Sequence, residues 1–185
     1  LDIIDWVKSH RREYFSNRGF ELVGIETPIS YEIKNGIYMK GYIDLVIRDT
    51  IHNMYKIIDL KTSTRGWNKY QKNDPMKTSQ LIIYKEYYAK QYNVPVDNID
   101  VEFIILKRKL FESSAFPQKR IQKITPASGN VTRKRVRTSI ENFIDNAFDD
   151  GGEYIIKEYD ANPSKKACRW CEFKNDKELC EYGVK

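Results

Sequence analysis

The sequence predicts an α/β domain built on a mixed central sheet flanked by helices, and three observations carry that prediction. Apolar residues recur at spacings of three and four over residues 2–17, 77–92 and 132–148, the period of amphipathic helices. Between Phe20 and Thr62 the period falls to two and turn residues interrupt it, as in hairpin-linked strands. Residues 99–111 form an almost unbroken apolar run, which a central strand covered on both faces requires.

Taken in order, the first helix gathers Ile3, Ile4, Trp6, Val7, His10 and Tyr14 and finds a C-cap in Gly19. Strands follow over 22–33 and 38–47, joined by the turn Lys34-Asn35-Gly36. A third strand over 54–62, after a turn at 49–53, completes an antiparallel meander. A polar loop, 63–75, leads to the helix over 77–92, which Asn93 and Pro95 stop. The apolar strand, a short strand over 120–125 and the helix over 132–148 come next; Val136, Ile140, Phe143, Ile144 and Ala147 form the apolar stripe of that helix. The chain reads as one domain over 1–185, with a core at 20–125 and a C-terminal helix and cysteine-bearing tail at 132–185. Beyond Gly151 the tail reads as irregular and folding back on the body.

A chain of 185 residues can bury one sizeable core and hardly two. No apolar run approaches the ~20 residues that span a bilayer, so no membrane role is expected. The first nine residues are too acidic and too interrupted for a signal peptide. With 32 Lys and Arg against 26 Asp and Glu, the net charge of +6 favours a polyanion partner without specifying which. The three cysteines, an odd and clustered set, point to metal ligation in a reducing, intracellular compartment and not to a secreted disulfide framework.

The informative stretch is Gly41-Tyr42-Ile43-Asp44, followed by Asp59-Leu60-Lys61. Strand residues two apart share a face, so Asp59 and Lys61 point the same way while Ile58 and Leu60 point into the core. Charge on strands this apolar is costly unless it is paired or bound to metal. Hard cations such as Mg²⁺ or Mn²⁺ prefer oxygen ligands, and Asp44, Asp59 and the Leu60 carbonyl would supply them. Phosphodiester hydrolysis uses such a set, with an ammonium such as that of Lys61 orienting or deprotonating water. A lone D-x-K is otherwise only a surface salt bridge. Gln80 and Tyr84, four apart, share one face of the following helix.

On Gly41–Asp44, Asp59-Leu60-Lys61-Thr62-Ser63 and the Gln-x-x-x-Tyr of Gln80 and Tyr84, the sequence resembles the RecB-like branch of the PD-(D/E)XK nuclease superfamily, which includes CRISPR-associated and phage exonucleases. The resemblance covers residues 20–92, with the C-terminal cysteines as a further match. It implies a restriction-endonuclease-like core and a Mg²⁺- or Mn²⁺-dependent deoxyribonuclease of bacterial or phage cytoplasm, acting on ends or single strands. It also implies that Gln80 and Tyr84 complete the site. Asp59 stands where the family often has Glu. The family's further metal ligand, a His or Glu on an early helix, has His10, Glu13 and Glu26 as candidates, with Glu26 the best placed. A DNA-binding or scaffolding module that no longer cuts, and an RNA-processing nuclease, are the alternatives.

Cys168, Cys171 and Cys180 give C-x2-C-x8-C, which in the resembling nucleases joins one upstream Cys around a four-iron, four-sulfur cluster. A structural iron–sulfur cluster or Zn²⁺ normally wants four ligands. The fourth would come from His10, His52 or residues outside this sequence; free thiols are the plainer alternative. Lys107, Arg108 and Lys109 follow the apolar strand, and Arg133, Lys134, Arg135 and Arg137 open the last helix. Cations there oppose the helix dipole, which suggests an external anion such as DNA phosphate. Trp67 and Tyr70 could each stack on a splayed base or anchor their loop on the domain.

Overall fold

A five-stranded sheet in the order β1-β2-β3-β4-β5 organises the computed structural model, which describes residues 2–14, 18–111, 115–116, 118–158 and 161–182. Strands β1 (Phe20–Lys34), β2 (Ile37–Asp49) and β3 (Met54–Ser63) run antiparallel in succession. Strand β4 (Ile99–Lys107) lies parallel to β3, and β5 (Ile121–Ile124) returns antiparallel to β4. The helices are α1 (Asp2–Tyr14), α2 (Lys69–Lys72), α3 (Pro75–Gln91), α4 (Asn130–Ala147) and α5 (Lys165–Cys168). A parallel step between neighbouring strands needs a crossover, and α2 and α3 supply it. The chain forms two compact units, Leu1–Glu153 with the sheet and α1 to α4, and Tyr154–Lys185 with α5.

Each face of the sheet has its own core. On the face covered by α3, Ile43, Val46, Ile57, Val101, Phe103 and Ile105 pack with Leu81, Tyr87 and Tyr88. On the opposite face a smaller cluster of Ile58, Ile104 and Ile121 is flanked by Trp6 of α1. The alternation of β2 slips at one point. Ile43 and Val46, three apart, both join the helix-covered core, whereas Leu45 and Ile47 join the other cluster. The residue at the slip is Asp44. Its register neighbour on β1, between the pairs Ile25↔Leu45 and Thr27↔Ile43, is Glu26, whose φ of 51° is left-handed. Non-glycine residues adopt that conformation rarely, and irregularities of this kind re-aim side chains near functional sites.

The mixed α/β sheet agrees with the sequence prediction, and several boundaries move for local reasons. Helix α3 starts at Pro75 because Asp74 caps it, accepting the Met76 N–H at 3.0 Å, with proline pre-set at the first helical position. Strand β4 ends at Lys107, not near 111, because its partner β3 ends at the facing residue Ser63. The expected loop 63–75 contains the single-turn α2, closed by a capping box between Asn68 and Gln71. Phe143 does not lie in the buried stripe of α4; it is exposed and edge-on to Phe148, while Val136 and Ile144 are buried. The expected end of the first helix at residues 15–17 lies outside the described residues. Among the described residues no helix is long and apolar enough to cross a membrane.

Candidate active site

Three charged side chains meet where β2 and β3 part. Their ladder runs from Asp49↔Met54 to Leu45↔Ile58, and Asp44 and Asp59 hold the next register positions. Here a side chain takes over from the ladder: Asp44 Oδ2 accepts the Leu60 N–H at 2.7 Å. Asp59 keeps its place beside Phe103 of β4. By strand alternation Asp59 and Lys61 lie on the face of Tyr55 and Ile57, the one α3 covers. Asp59 is accordingly 1% exposed.

That burial sets the electrostatics. Lys61 Nζ stands 2.8 Å from Asp59 Oδ2 as an ion pair, yet no hydrogen bond of good geometry reaches this oxygen. Burial pushes the Asp59 carboxyl above its ordinary range; the adjoining Lys61 ammonium opposes the rise, and the charge of Asp44 adds to it. Two carboxylates and one ammonium leave the fork short of positive charge. A hard divalent cation fits that deficit, since it takes carboxylate oxygens and leaves no buried negative charge uncompensated.

One expectation is reversed. Leu60 does not point into a core but is 44% exposed, while Asp59 is the buried residue. By alternation Leu60 lies on the face of Ile58, opposite the one α3 covers. The motif residues of α3 pair with each other. Gln80 Nε2 donates to Tyr84 Oη at 3.2 Å, so the two act as one unit on the helix face. A Cβ at Gly41 would lie 3.2 Å from Tyr84 Cε1, so glycine at that point lets the tyrosine ring lie against β2.

Glu26 faces Asp44 by register, but among the described residues no three His, Cys, Asp or Glu side chains are grouped to hold a metal. His10 stacks on Trp6 and lies 3.9 Å from Glu13, and His52 pairs with Asp49 at 2.7 Å. Cys168, Cys171 and Cys180 are free thiols, the first buried at the end of the one-turn α5, and they are not gathered as a metal-holding set.

The basic residues divide. Lys107 and Arg108 lie at the carboxyl end of β4 beside Ser63, the same end of the sheet as Lys61, and Arg108 donates to Thr64 Oγ1 at 2.9 Å. Lys134 and Arg135 are exposed on α4. Arg133 and Arg137, expected to await phosphate, already have an anion: Glu86 lies 2.8 Å from Arg133 Nε and 2.9 Å from Arg137. Trp67 is not a free stacking surface. It is 8% exposed and packs on Phe103 with ring centroids 5.0 Å apart. Gln122 of β5 fixes it, accepting the Trp67 N–H at 2.8 Å and donating to the Trp67 carbonyl at 3.1 Å. Neither Glu86 nor Gln122 was marked by any local pattern, because their partners are remote in sequence.

No curated protein matches the chain. Among solved structures, one described as the crystal structure of SSO0001 is similar at 16% identity and a TM-score of 0.45, covering 100% of this chain and 70% of that one. A family model described as the PD-(D/E)XK nuclease superfamily matches residues 3–176, a span that includes the fork, Gln80 and Tyr84. The chain belongs to the PD-(D/E)XK nuclease superfamily.

Proposed function

We propose that this protein is a metal-dependent deoxyribonuclease that hydrolyses phosphodiester bonds at the β2–β3 fork. The observation that carries the proposal is the buried Asp59, held next to the charge of Asp44 with Lys61 as its ion-pair partner. A structural ion pair would be balanced; this one is left with excess negative charge, as a cation site is. Asp44, Asp59 and the Leu60 carbonyl would hold Mg²⁺ or Mn²⁺, with Glu26 on the neighbouring strand as an auxiliary ligand. When bound, the cation would acidify water and neutralise charge developing on the phosphate.

The side chains then divide the remaining work. Lys61, partly exposed at the mouth of the fork, orients the attacking water and offsets negative charge developing on the phosphate. Gln80 and Tyr84, joined by their hydrogen bond, present an amide and a phenol toward the strand being cut. Lys107 and Arg108, at the same end of the sheet, hold flanking phosphates. The Gln80–Tyr84 pair favours the RecB-like branch, and with it an exonuclease acting on ends or single strands in an intracellular setting.

End-labelled single- and double-stranded DNA and matched RNA, incubated with Mg²⁺, Mn²⁺ or EDTA, test this directly. Metal-dependent cleavage of DNA is expected from the wild type and not from Lys61→Ala, with DNA binding kept by the variant. Binding without cleavage under every metal condition would leave a nucleic-acid-binding module, and preferential cleavage of RNA would reassign the substrate.

A further inference from the structure

We propose that Tyr70 is a stacking platform for an unpaired base, so that this chain prefers single strands at the approach to its site. The inference rests on the nuclease proposal for its context, and it names which form of the substrate is held. Tyr70 sits in the connection between β3, which carries Asp59 and Lys61, and α3, which carries Gln80 and Tyr84.

An exposed tyrosine by itself signifies little, since apolar surface is common on soluble proteins. Three features set this one apart. It is 86% exposed, and among the described residues no ring stacks on it. It is also held in place. Asn68 accepts the Gln71 N–H and Gln71 accepts the Asn68 N–H, both at 3.0 Å, closing α2 around Tyr70. On one side Trp67 anchors the turn in the core through Phe103 and Gln122; on the other Asp74 caps α3. The aromatic ring is therefore presented on a preorganised turn, which lowers the ordering cost of binding.

The third feature is charge. Lys69 and Lys72 flank Tyr70 within α2, Arg65 and Lys77 lie over the rings of Phe111 and Trp67, and the single acid of this stretch, Asp74, is engaged in capping. An aromatic face among cations complements a strand whose backbone is anionic and whose bases offer π-faces. A duplex hides those faces within its own stack, so only an unpaired base can use Tyr70. The division of labour is then clear: Trp67 anchors the turn and Tyr70 meets the base.

The test is fluorescence anisotropy in a Lys61→Ala background with Mg²⁺, which preserves the probes. The probes are a labelled oligo-dT of ~15 nucleotides, near the upper end of single-strand site sizes, an abasic strand of equal length and charge, and a duplex. Tyr70→Ala should weaken oligo-dT binding about tenfold, the loss of one stacked base, and Tyr70→Trp should restore it. Binding of the abasic strand and of the duplex should change less than about twofold, because backbone contacts are untouched. Undiminished oligo-dT binding by Tyr70→Ala, or equal loss on the abasic strand or the duplex, overturns the assignment. So does a parent protein with no affinity for oligo-dT, which would leave the surface to a protein partner. Cleavage by the protein with Lys61 intact is scored separately. A Tyr70-dependent binder that does not cut defeats the nuclease proposal alone, and a nuclease indifferent to Tyr70 defeats the stacking proposal alone.

Discussion

Helix α3 borders two clusters of partly buried charge that differ in how they are balanced. Toward α4, Glu86 is gripped by Arg133 and Arg137, and Arg133 also reaches Asp97 at 3.4 Å. Each of these four charges has an opposite within the protein, while the buried Lys85 beside them donates to Ser128 Oγ at 3.4 Å. Toward the β2–β3 fork, Lys61 pairs with Asp59 while Asp44 accepts the Leu60 N–H, and Asp59 is pushed toward its neutral form by burial. Burial alone does not separate the two, for Glu86 and Arg133 are also largely out of water. Stoichiometry does. A network closed within the chain stabilises one arrangement of helices, whereas a network left open is completed by something from outside.

The sharpest way to break that contrast is to neutralise Asp59. Asp59→Asn keeps the shape and removes the charge, so kcat/KM for DNA cleavage should fall about 10²–10⁴-fold, the usual scale for losing a group that serves the transition state. Thermal stability in EDTA should move the other way, upward by about 2–4 °C, the shift that ~1 kcal/mol gives a domain of this size. A fall of several degrees would show that the fork is a closed structural pair after all. For the α4 cluster the expectation is inverted. Glu86→Gln leaves the buried Arg133 with only the more distant, exposed Asp97 as its anion, at a cost of ~3 kcal/mol, lowering Tm by roughly 6–12 °C. Turnover per folded molecule should be unchanged, as measured by kinetics below the transition.

The same contrast shows what could be seen in the sequence. The sheet, its mixed order and the fork residues were legible because they depend on local signals: alternation, turn residues, and charges set two apart in an apolar strand. Gln80 and Tyr84 were legible for the same reason, being one helical turn apart. What stayed hidden depends on pairing across the chain. Nothing near Arg133 announces Glu86, so cations at the start of α4 looked unpaired and were assigned to DNA. Nothing near Trp67 announces Gln122 or Phe103, so an anchored residue and an exposed one, Tyr70, were indistinguishable. The facing of Asp59 and Leu60 was misjudged because α3 covers the face of Asp59 and not that of Leu60, which the strand's own pattern does not encode.

Acidification offers a second test of the fork. Because the folded Asp59 carboxyl is raised, the native protein binds a proton that the unfolded chain has already released at the same pH. In metal-free buffer, stability should therefore fall as pH rises from the ordinary aspartate range through the raised value, and Asp59→Asn should lose that slope. With Mg²⁺ present cleavage should follow the opposite course, being lost on acidification, because the ionised carboxylate is the form that would hold the cation. Melting curves and rates collected over one pH series would show the two trends crossing. Parallel trends would mean that Asp59 ionises without consequence for one of them.

The smallest expected effect is the most direct check on the corrected assignment of α4. Arg137 is about half exposed and shares Glu86 with the more buried Arg133, which remains when Arg137 is removed. Arg137→Ala should therefore cost under ~1 kcal/mol, the range of exposed ion pairs. If its guanidinium is committed to Glu86, DNA affinity should change less than about twofold and the salt dependence of binding should keep its slope. A phosphate-contacting arginine would behave differently, lowering affinity for every sequence and reducing that slope by about one. Salt-dependent binding isotherms for wild type and Arg137→Ala separate the cases. A reduced slope would mean that Glu86 yields this arginine to DNA, and that the α4 network opens on binding much as the fork opens to a cation.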